Sequence, residues 1–364
     1  MSVGAEWITA TTAIEDAQFQ PASLDLRLGP VAYQLRASFL PSPHTVLSRL
    51  NQDDLVNSDL VIDRISLEQG ATLQRHTVYL VPLQESLALP ENVRGRCNPK
   101  STTGRLDIFT RVITDQTSRF DEIKAGYRGP LYLEICPQSF PVRVHQGLSL
   151  NQVRLAWGKS VLSDAALTRR YRMQPLLYDD DHRAIPFDAS SSKGGLHMGI
   201  DLSGRVTDGI IGYRAVEDPP AVDLSRIGSY DPAEFWEPIK KPGRDSFILA
   251  ADRFYILASK ERIRVPPDLA AEMVVYDAGA GEIRTHYAGF FDPGFGFGDG
   301  AILGTKVVME VRAREVPFMV YHGQTLFRVV LEQMMSTPER VYGVGRPSSY
   351  QHQTLTLSKQ FRRS

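Results

Sequence analysis

The chemistry in this chain concentrates in two short segments. The first is Pro99-Lys100-Ser101-Thr102-Thr103-Gly104-Arg105, where hydroxyls, two cations and a glycine follow a strand-like Val93-Arg94-Gly95-Arg96-Cys97. Hydroxyls, backbone N–H groups and a guanidinium fork are the donors that phosphate oxygens accept. The order differs from a P-loop, because the lysine precedes the hydroxyls and no G-x-x-x-x-G-K run is present. Taken alone, the segment also reads as a solvated turn. The second segment is Gly129-Pro130-Leu131-Tyr132-Leu133-Glu134-Ile135-Cys136, an apolar strand that carries one carboxylate. Strand alternation puts Tyr132, Glu134 and Cys136 on one side and Leu131, Leu133 and Ile135 on the other. A carboxylate among buried residues costs several kcal/mol unless it is paired or protonated. Desolvation favours the protonated form, and this suits a group to exchange protons near neutral pH. The plain alternative is an edge-strand glutamate facing water.

Other chemistries can be tested by composition and spacing. The eight histidines never fall within five residues of one another, and there is no C-x-x-C or H-E-x-x-H. Zinc hydrolases and zinc deaminases need such closely placed ligands, so no zinc site is expected. The Asp179-Asp180-Asp181 run reads as a solvated turn in preference to a divalent-ion site. Lys+Arg 41 against Asp+Glu 42 gives a net charge of −1, which argues against a general nucleic-acid binder. No apolar run approaches the ~18–20 residues of a membrane span. The first positive side chain is Arg27, so no basic leader region is expected. Cys97 and Cys136 read as small apolar residues of a reducing cytoplasm.

The elements that must hold these segments come twice. Tyr79 in TVYLVPLQESLALPENV matches Tyr255 in RFYILASKERIRVPPDL, 176 residues on. Glu85 and Glu261, Pro90 and Pro266, Glu134 and Glu310, and Gly147 and Gly323 keep that offset, as do Asp25-Leu26 and Asp201-Leu202. The chain therefore reads as a tandem duplication. One domain is expected over 1–165, a helix and linker over 166–195, and a second domain over 196–364. The helix is SDAALTRRYR, with Ser163 as N-cap and Asp164 in its first turn. A second short helix is expected from Asp231 to Trp236. Segments such as VYLVPL, GPLYLEI, FYILAS and TKVVMEV are short, β-branched or aromatic, and bounded by Gly, Pro or Asp. They predict a mainly β protein of sandwich or barrel type with few helices. No βαβ unit with G-x-G-x-x-G is present, which excludes a Rossmann domain.

Taken together, the segments resemble the dCTP deaminase family of the trimeric dUTPase-like β fold. P-A-S-L-D-L-R-L-G at 21–29 resembles its N-terminal strand motif, and K-S-T-T-G-R at 100–105 its phosphate-binding motif. G-Y-R-G-P-L-Y-L-E at 126–134 resembles the strand that ends on the catalytic glutamate, and G-L-S-L-N-Q-V-R-L at 147–155 the closing strand. Tyr342 and Ser349-Tyr350-Gln351-His352-Gln353 resemble the tail that folds over the triphosphate. A double-length chain resembles a long branch of that family, with two tandem dUTPase-like barrel or jelly-roll domains.

The resemblance implies hydrolytic deamination of dCTP to dUTP and ammonia, toward thymidine nucleotide synthesis. Glu134 would activate water without zinc, and Ser101 would position that water. Lys100, Ser101, Thr102, Arg105, Tyr127, Tyr342, Arg346 and Gln353 would bind the nucleotide, with Mg²⁺ accompanying its triphosphate. A cytoplasmic homo-oligomer with sites between subunits is implied, with no nucleic acid or membrane as partner. Lys100 stands where the family has arginine, and Ser349 where it has lysine, with Arg346 or Lys359 as candidate replacements. The loop before Gly126 reads Lys124-Ala125 in place of the family's Asp-Pro. The second half has the family loop in Asp292-Pro293-Gly294-Phe295, but its phosphate motif has become Tyr276-Asp277-Ala278-Gly279-Ala280-Gly281. An aspartate there repels a triphosphate, so one competent site per chain is expected. Two other readings stay open. One is a dUTP diphosphatase, alone or joined to the deaminase, with Asp115 or Asp121 as its carboxylate. The other is a non-catalytic nucleotide-binding module.

Overall fold

The computed structural model describes residues 7–50, 58–188, 192–275, 283–285, 289–344, 348 and 350–363. The β-branched and aromatic runs form strands as expected, and the described residues are mainly β. Contacts divide the chain into two units. Unit 1 comprises Met1–Lys159, Glu217–Tyr230 and Ser358–Ser364, and unit 2 comprises Ser160–Val216 and Asp231–Leu357.

In unit 1 one sheet runs in the order Val61–Ser66, Val31–Leu35, Val78–Ala88, Arg128–Pro137, Ile108–Thr114, with Ile8–Ala10 also on Val78–Ala88. A second runs Leu24–Arg27, Ser149–Trp157, Val93–Pro99, Glu122–Ile123. Unit 2 repeats this order. Its first sheet is Trp236–Lys240, Ile210–Ala215, Phe254–Ile263, Thr305–Ala313, Ile283–Thr285, and its second is Leu196–Gly199, Thr325–Gln333, Leu269–Val275, Phe290–Phe291. The 176-residue offset reaches single hydrogen bonds. The Gln74 N–H donates to Tyr79 Oη at 3.1 Å, and the Ala250 N–H to Tyr255 Oη at 2.9 Å. Gly147 and Gly323 both adopt positive φ, +85° and +78°, in the turn before the closing strand, a conformation that favours glycine.

One landmark is corrected. The bridges Leu28–Leu83 and Ile200–Ser259 set the first strands 172 residues apart, four fewer than the rest. Asp25 therefore corresponds to His197 on the matching strand, while Asp201 lies just beyond that strand.

The expected domain boundaries also shift. The helix forms over Asp164–Met173, and Ser163 Oγ accepts the Ala166 N–H at 3.3 Å. It is not a free linker element: Leu167, Tyr171, Leu176 and Leu177 are buried in the core of unit 2. The Asp231–Trp236 helix is reduced to a single 3-10 turn, Pro232–Glu234, because Phe235 and Trp236 are drawn into the core and Trp236 opens a strand. Residues 217–230 and 358–364, assigned by sequence to the second domain, belong to unit 1. Val222–Asp223 pairs in parallel with Val142–Val144. The tail residues Lys359 and Gln360 accept backbone N–H groups from Gly228 and Ser229, and Phe361 is buried beside Tyr230. Sequence predicts a mobile terminus after 342; these contacts instead bury Ser358, Gln360 and Phe361. No helix among the described residues is long and apolar enough to cross a membrane.

Candidate functional site

Glu134 lies in the interior of its sheet. Its strand is flanked on both sides, with Glu134 opposite Leu80 in one neighbour and Arg111 in the other. It is 1% exposed, which removes the edge-strand alternative. A buried carboxylate needs a counter-charge, and register supplies one. Arg111 Nε and Nη2 both donate to Glu134 Oε1, at 2.9 and 2.5 Å. Arg111 Nη2 also donates to Ser38 Oγ at 2.7 Å, and the guanidinium lies over the Phe120 ring at 3.5 Å and the Phe109 ring at 4.8 Å. Glu134 Oε2 is buried and has no hydrogen-bond partner among the described residues. A carboxylate oxygen so placed can exchange a proton with a small molecule brought to it.

Asp121 stands close by. Its Oδ1 accepts the Val112 N–H at 2.8 Å, and its own backbone bridges Val112 O and the Cys97 N–H. Burial pushes its carboxyl up to about 7, against the Val112 bond and the charges of Arg111 and Arg96, and the Glu134 charge adds to the rise. Asp115 Oδ1 accepts the Val46 N–H at 2.7 Å. The Tyr127 hydroxyl donates to Pro130 O at 2.6 Å and accepts the Asp115 N–H at 3.2 Å, so it braces the turn at the start of the Glu134 strand. Burial pushes this phenol up to about 12.

The Lys100–Arg105 segment follows the Val93–Pro99 strand of the second sheet and forms one helical turn, Ser101–Gly104. Ser101 is exposed, Thr102 half-buried and Arg105 buried. Thr103 Oγ1 donates to Leu150 O at 2.8 Å, fixing the turn to the closing strand. The Lys100 ammonium is paired with Asp25. The tail returns to this place: Ser358 Oγ donates to Thr102 O at 3.2 Å. Burial, then the like charge of Lys100, pushes the Lys359 ammonium below its ordinary range. The Lys359 ammonium thus adds a third cation to Lys100 and Arg105 of the segment.

Tyr342 and Gln353 belong to unit 2 and are not brought together with the residues above in one unit. The Tyr342 N–H donates to Pro293 O at 2.7 Å, and its ring lies 5.5 Å from Phe295. Gln353 Nε2 donates to Lys306 O at 2.7 Å, and Gln351 Nε2 to Gly294 O at 2.9 Å. These tail residues are held by the Asp292–Phe295 loop and the neighbouring strand of their own unit. Arg346 lies outside the described residues, as does the 276–281 segment. Glu310 is buried and faces Ile256 in register.

The Asp179–Asp181 run serves ion pairs. Asp180 pairs with Arg262 and with Lys306, both at 3.1 Å, and Asp181 pairs with Arg205 at 2.6 Å and Arg183 at 3.0 Å. The Arg205 guanidinium holds the Asp181 carboxyl below its usual range. Among the described residues, no three His, Cys, Asp or Glu side chains form a group that could hold a metal ion.

Arg111 escaped the sequence reading. Its signal is the one that drew attention to Glu134: a charge inside an apolar strand, Ile108-Phe109-Thr110-Arg111-Val112-Ile113.

Comparison with known proteins gives the family of the chain. The model of the 2'-deoxycytidine 5'-triphosphate deaminase N-terminal domain matches residues 2–159, and that of the C-terminal domain matches residues 163–361. A protein of Sulfurihydrogenibium sp. named dCTP deaminase, dUMP-forming, is 26% identical over 152 residues, covering 42% of this chain and 76% of its own length. One of the same name from Methanoculleus marisnigri is 30% identical over 142 residues, covering 38% and 67%. The crystal structure of 2'-deoxycytidine 5'-triphosphate deaminase from Agrobacterium tumefaciens superposes with a TM-score of 0.83 at 43% identity, over 93% of this chain and 96% of that one.

Proposed function

Because the chain belongs to the dCTP deaminase family, we propose that it hydrolyses the 4-amino group of dCTP, giving dUTP and ammonia. The observation that carries this reading is the Glu134 carboxylate, buried, held by Arg111 through one oxygen and, among the described residues, unpartnered at the other. Water donates a proton to Glu134 Oε2 as its oxygen attacks C4. Attack gives a tetrahedral centre, and Glu134 returns the proton to the ring nitrogen or the departing amine. Ser101 and neighbouring backbone groups position the water and stabilise the developing charge. Protein groups alone supply the base, so the step needs no zinc, and Mg²⁺ enters as part of the triphosphate substrate. Arg105, Lys100, Thr102 and the tail ammonium of Lys359 receive the phosphates. The two units, which share one strand order, descend from a tandem duplication in which the first kept the site. The working form is a homo-oligomer.

Glu134→Gln is the direct test. It keeps shape and removes basicity, and loss of a general base costs ~10²–10⁴ in rate. Deamination should fall by that factor while dCTP still binds; turnover within a few-fold of the parent would remove Glu134 from its role.

A second reading has support in the names of the two relatives above, both dUMP-forming. Asp115 and Asp121 are then the candidate carboxylates, each held through one oxygen by a backbone N–H, from Val46 and Val112. Chromatography of the products from dCTP separates the readings: dUTP alone marks the deaminase, and dUMP with pyrophosphate marks the joint activity.

A further inference from the structure

We propose that Arg111 is the positioning residue for Glu134: it immobilises the carboxylate through Oε1 and leaves Oε2 as the one oxygen available to water. The inference rests on the deaminase reading of Glu134. An arginine–carboxylate pair in fork-to-fork geometry places one N–H on each oxygen and satisfies both. Here Nε and Nη2 converge on the same oxygen, Oε1, and Oε2 is left buried and, among the described residues, without a partner. A buried acceptor with no bond is costly, and such an atom in a native site calls for a bound molecule or a chemical role.

The geometry is set by more than the pair. Arg111 and Glu134 stand directly opposite in neighbouring strands, so sheet register fixes their separation. Ser38 Oγ accepts a further bond from Nη2, and the Phe120 and Phe109 rings take the guanidinium face. A lysine would carry the charge but not the two-pronged contact, because its ammonium is a point charge on a flexible stem. The requirement is therefore for a guanidinium, and it bears on the orientation of the base more than on affinity for the nucleotide.

The test uses the full chain with Arg111→Ala and Arg111→Lys, measuring kcat and KM for dCTP by ammonia release beside a thermal melt. Misplacing a reacting group by about 1 Å costs on the order of 10²-fold, so Arg111→Ala should lose about that factor in kcat with KM within about threefold. Arg111→Lys should lose at least about tenfold in kcat despite keeping the charge. Guanidinium chloride at low millimolar concentration should restore Arg111→Ala by about tenfold or more and should not change the parent or Glu134→Gln. A residue that merely supports the fold would show no such rescue. Unchanged kcat in a folded Arg111→Ala, a rise in KM alone, or absence of rescue overturns the proposal. If Arg111→Ala does not fold, Arg111→Lys decides: kcat equal to the parent overturns it. A parent inactive on dCTP overturns the deaminase reading and the inference with it, whereas an active parent with an indifferent Arg111 overturns the inference alone.

Discussion

Asp121 offers a stability measurement whose sign the structure fixes. Its carboxyl rises from an ordinary 3.8 to about 7, chiefly through burial. Between those values the folded chain holds a proton that the unfolded chain has released. Stability therefore falls as the pH rises through that window, and the full penalty is present above about 7. At 1.36 kcal/mol per pH unit the rise corresponds to about 4 kcal/mol. Asp121 keeps part of its surface in water, and screening reduces this to about 2 kcal/mol. Asp121→Asn removes the charge and keeps an oxygen to accept the Val112 N–H, now 2.8 Å from Oδ1. At pH 8 the variant should be more stable than the parent by about 2 kcal/mol, which for a unit of this size is about 4–8 °C in the melting of unit 1. The advantage should shrink as the pH falls from about 7 and vanish below about 3.8, where the folded and the unfolded parent both hold the proton. Denaturant titrations or calorimetry at half-unit pH steps measure it. A stability difference that does not vary with pH, or an Asn variant less stable than the parent at pH 8, refutes the reasoning.

Two further outcomes are expected. Glu310→Gln should leave dCTP turnover within about twofold, since Glu310 is buried and an isosteric swap away from the reacting centre acts mainly on stability; a loss comparable to that of Glu134→Gln would show a second working site. Lys359→Met should raise KM for dCTP about tenfold or more with kcat nearly unchanged, as loss of one charge-assisted bond costs ~1.5–3 kcal/mol of binding; an unchanged KM would show that its ammonium does not meet the triphosphate.

What the sequence discloses and what it hides follow from the range of the interactions involved. Period-two patterning and Gly or Pro boundaries are local, so the β class, the strands and the repeat were legible, down to the matched Tyr79 and Tyr255 hydrogen bonds. Glu134 was legible because a carboxylate in an apolar run is a local anomaly. Its partner was not, because the 115–127 connection between the two strands conceals the register that puts Arg111 opposite Glu134. The tail misled for a related reason. Residues after 342 are poor in apolar side chains, which argues for mobility, yet Ser358, Gln360 and Phe361 are buried by the 217–230 excursion. Gln360 Nε2 donates to Leu224 O and Tyr230 packs on Phe361. Neither segment could form this structure alone, and nothing local in either announces the other. The four-residue slip between Asp25 and Asp201 has the same origin: matching letters aligned, whereas the bridges at Leu28 and Ile200 set the true correspondence.

The two units put charged groups into the same strand framework to opposite effect. In unit 2 the fully buried Lys306 ammonium has three donors and meets Asp201 Oδ2 at 2.7 Å, Asp180 Oδ2 at 3.1 Å and Ser259 O at 3.1 Å. Its backbone carbonyl takes the Gln353 amide, so the tail closes on a cluster that is already satisfied. Such a network rigidifies a core and leaves no valence for a ligand. In unit 1 Arg111 reaches Glu134 by one oxygen only, and among the described residues Oε2 stays buried without a bond. Folding alone gives no reason to keep that atom, since an apolar residue of similar volume would pack there at no such cost. A free energy left unrecovered in folding is available to whatever binds, and in the proposed deamination a water molecule carried in beside the cytosine ring would recover it as its proton leaves.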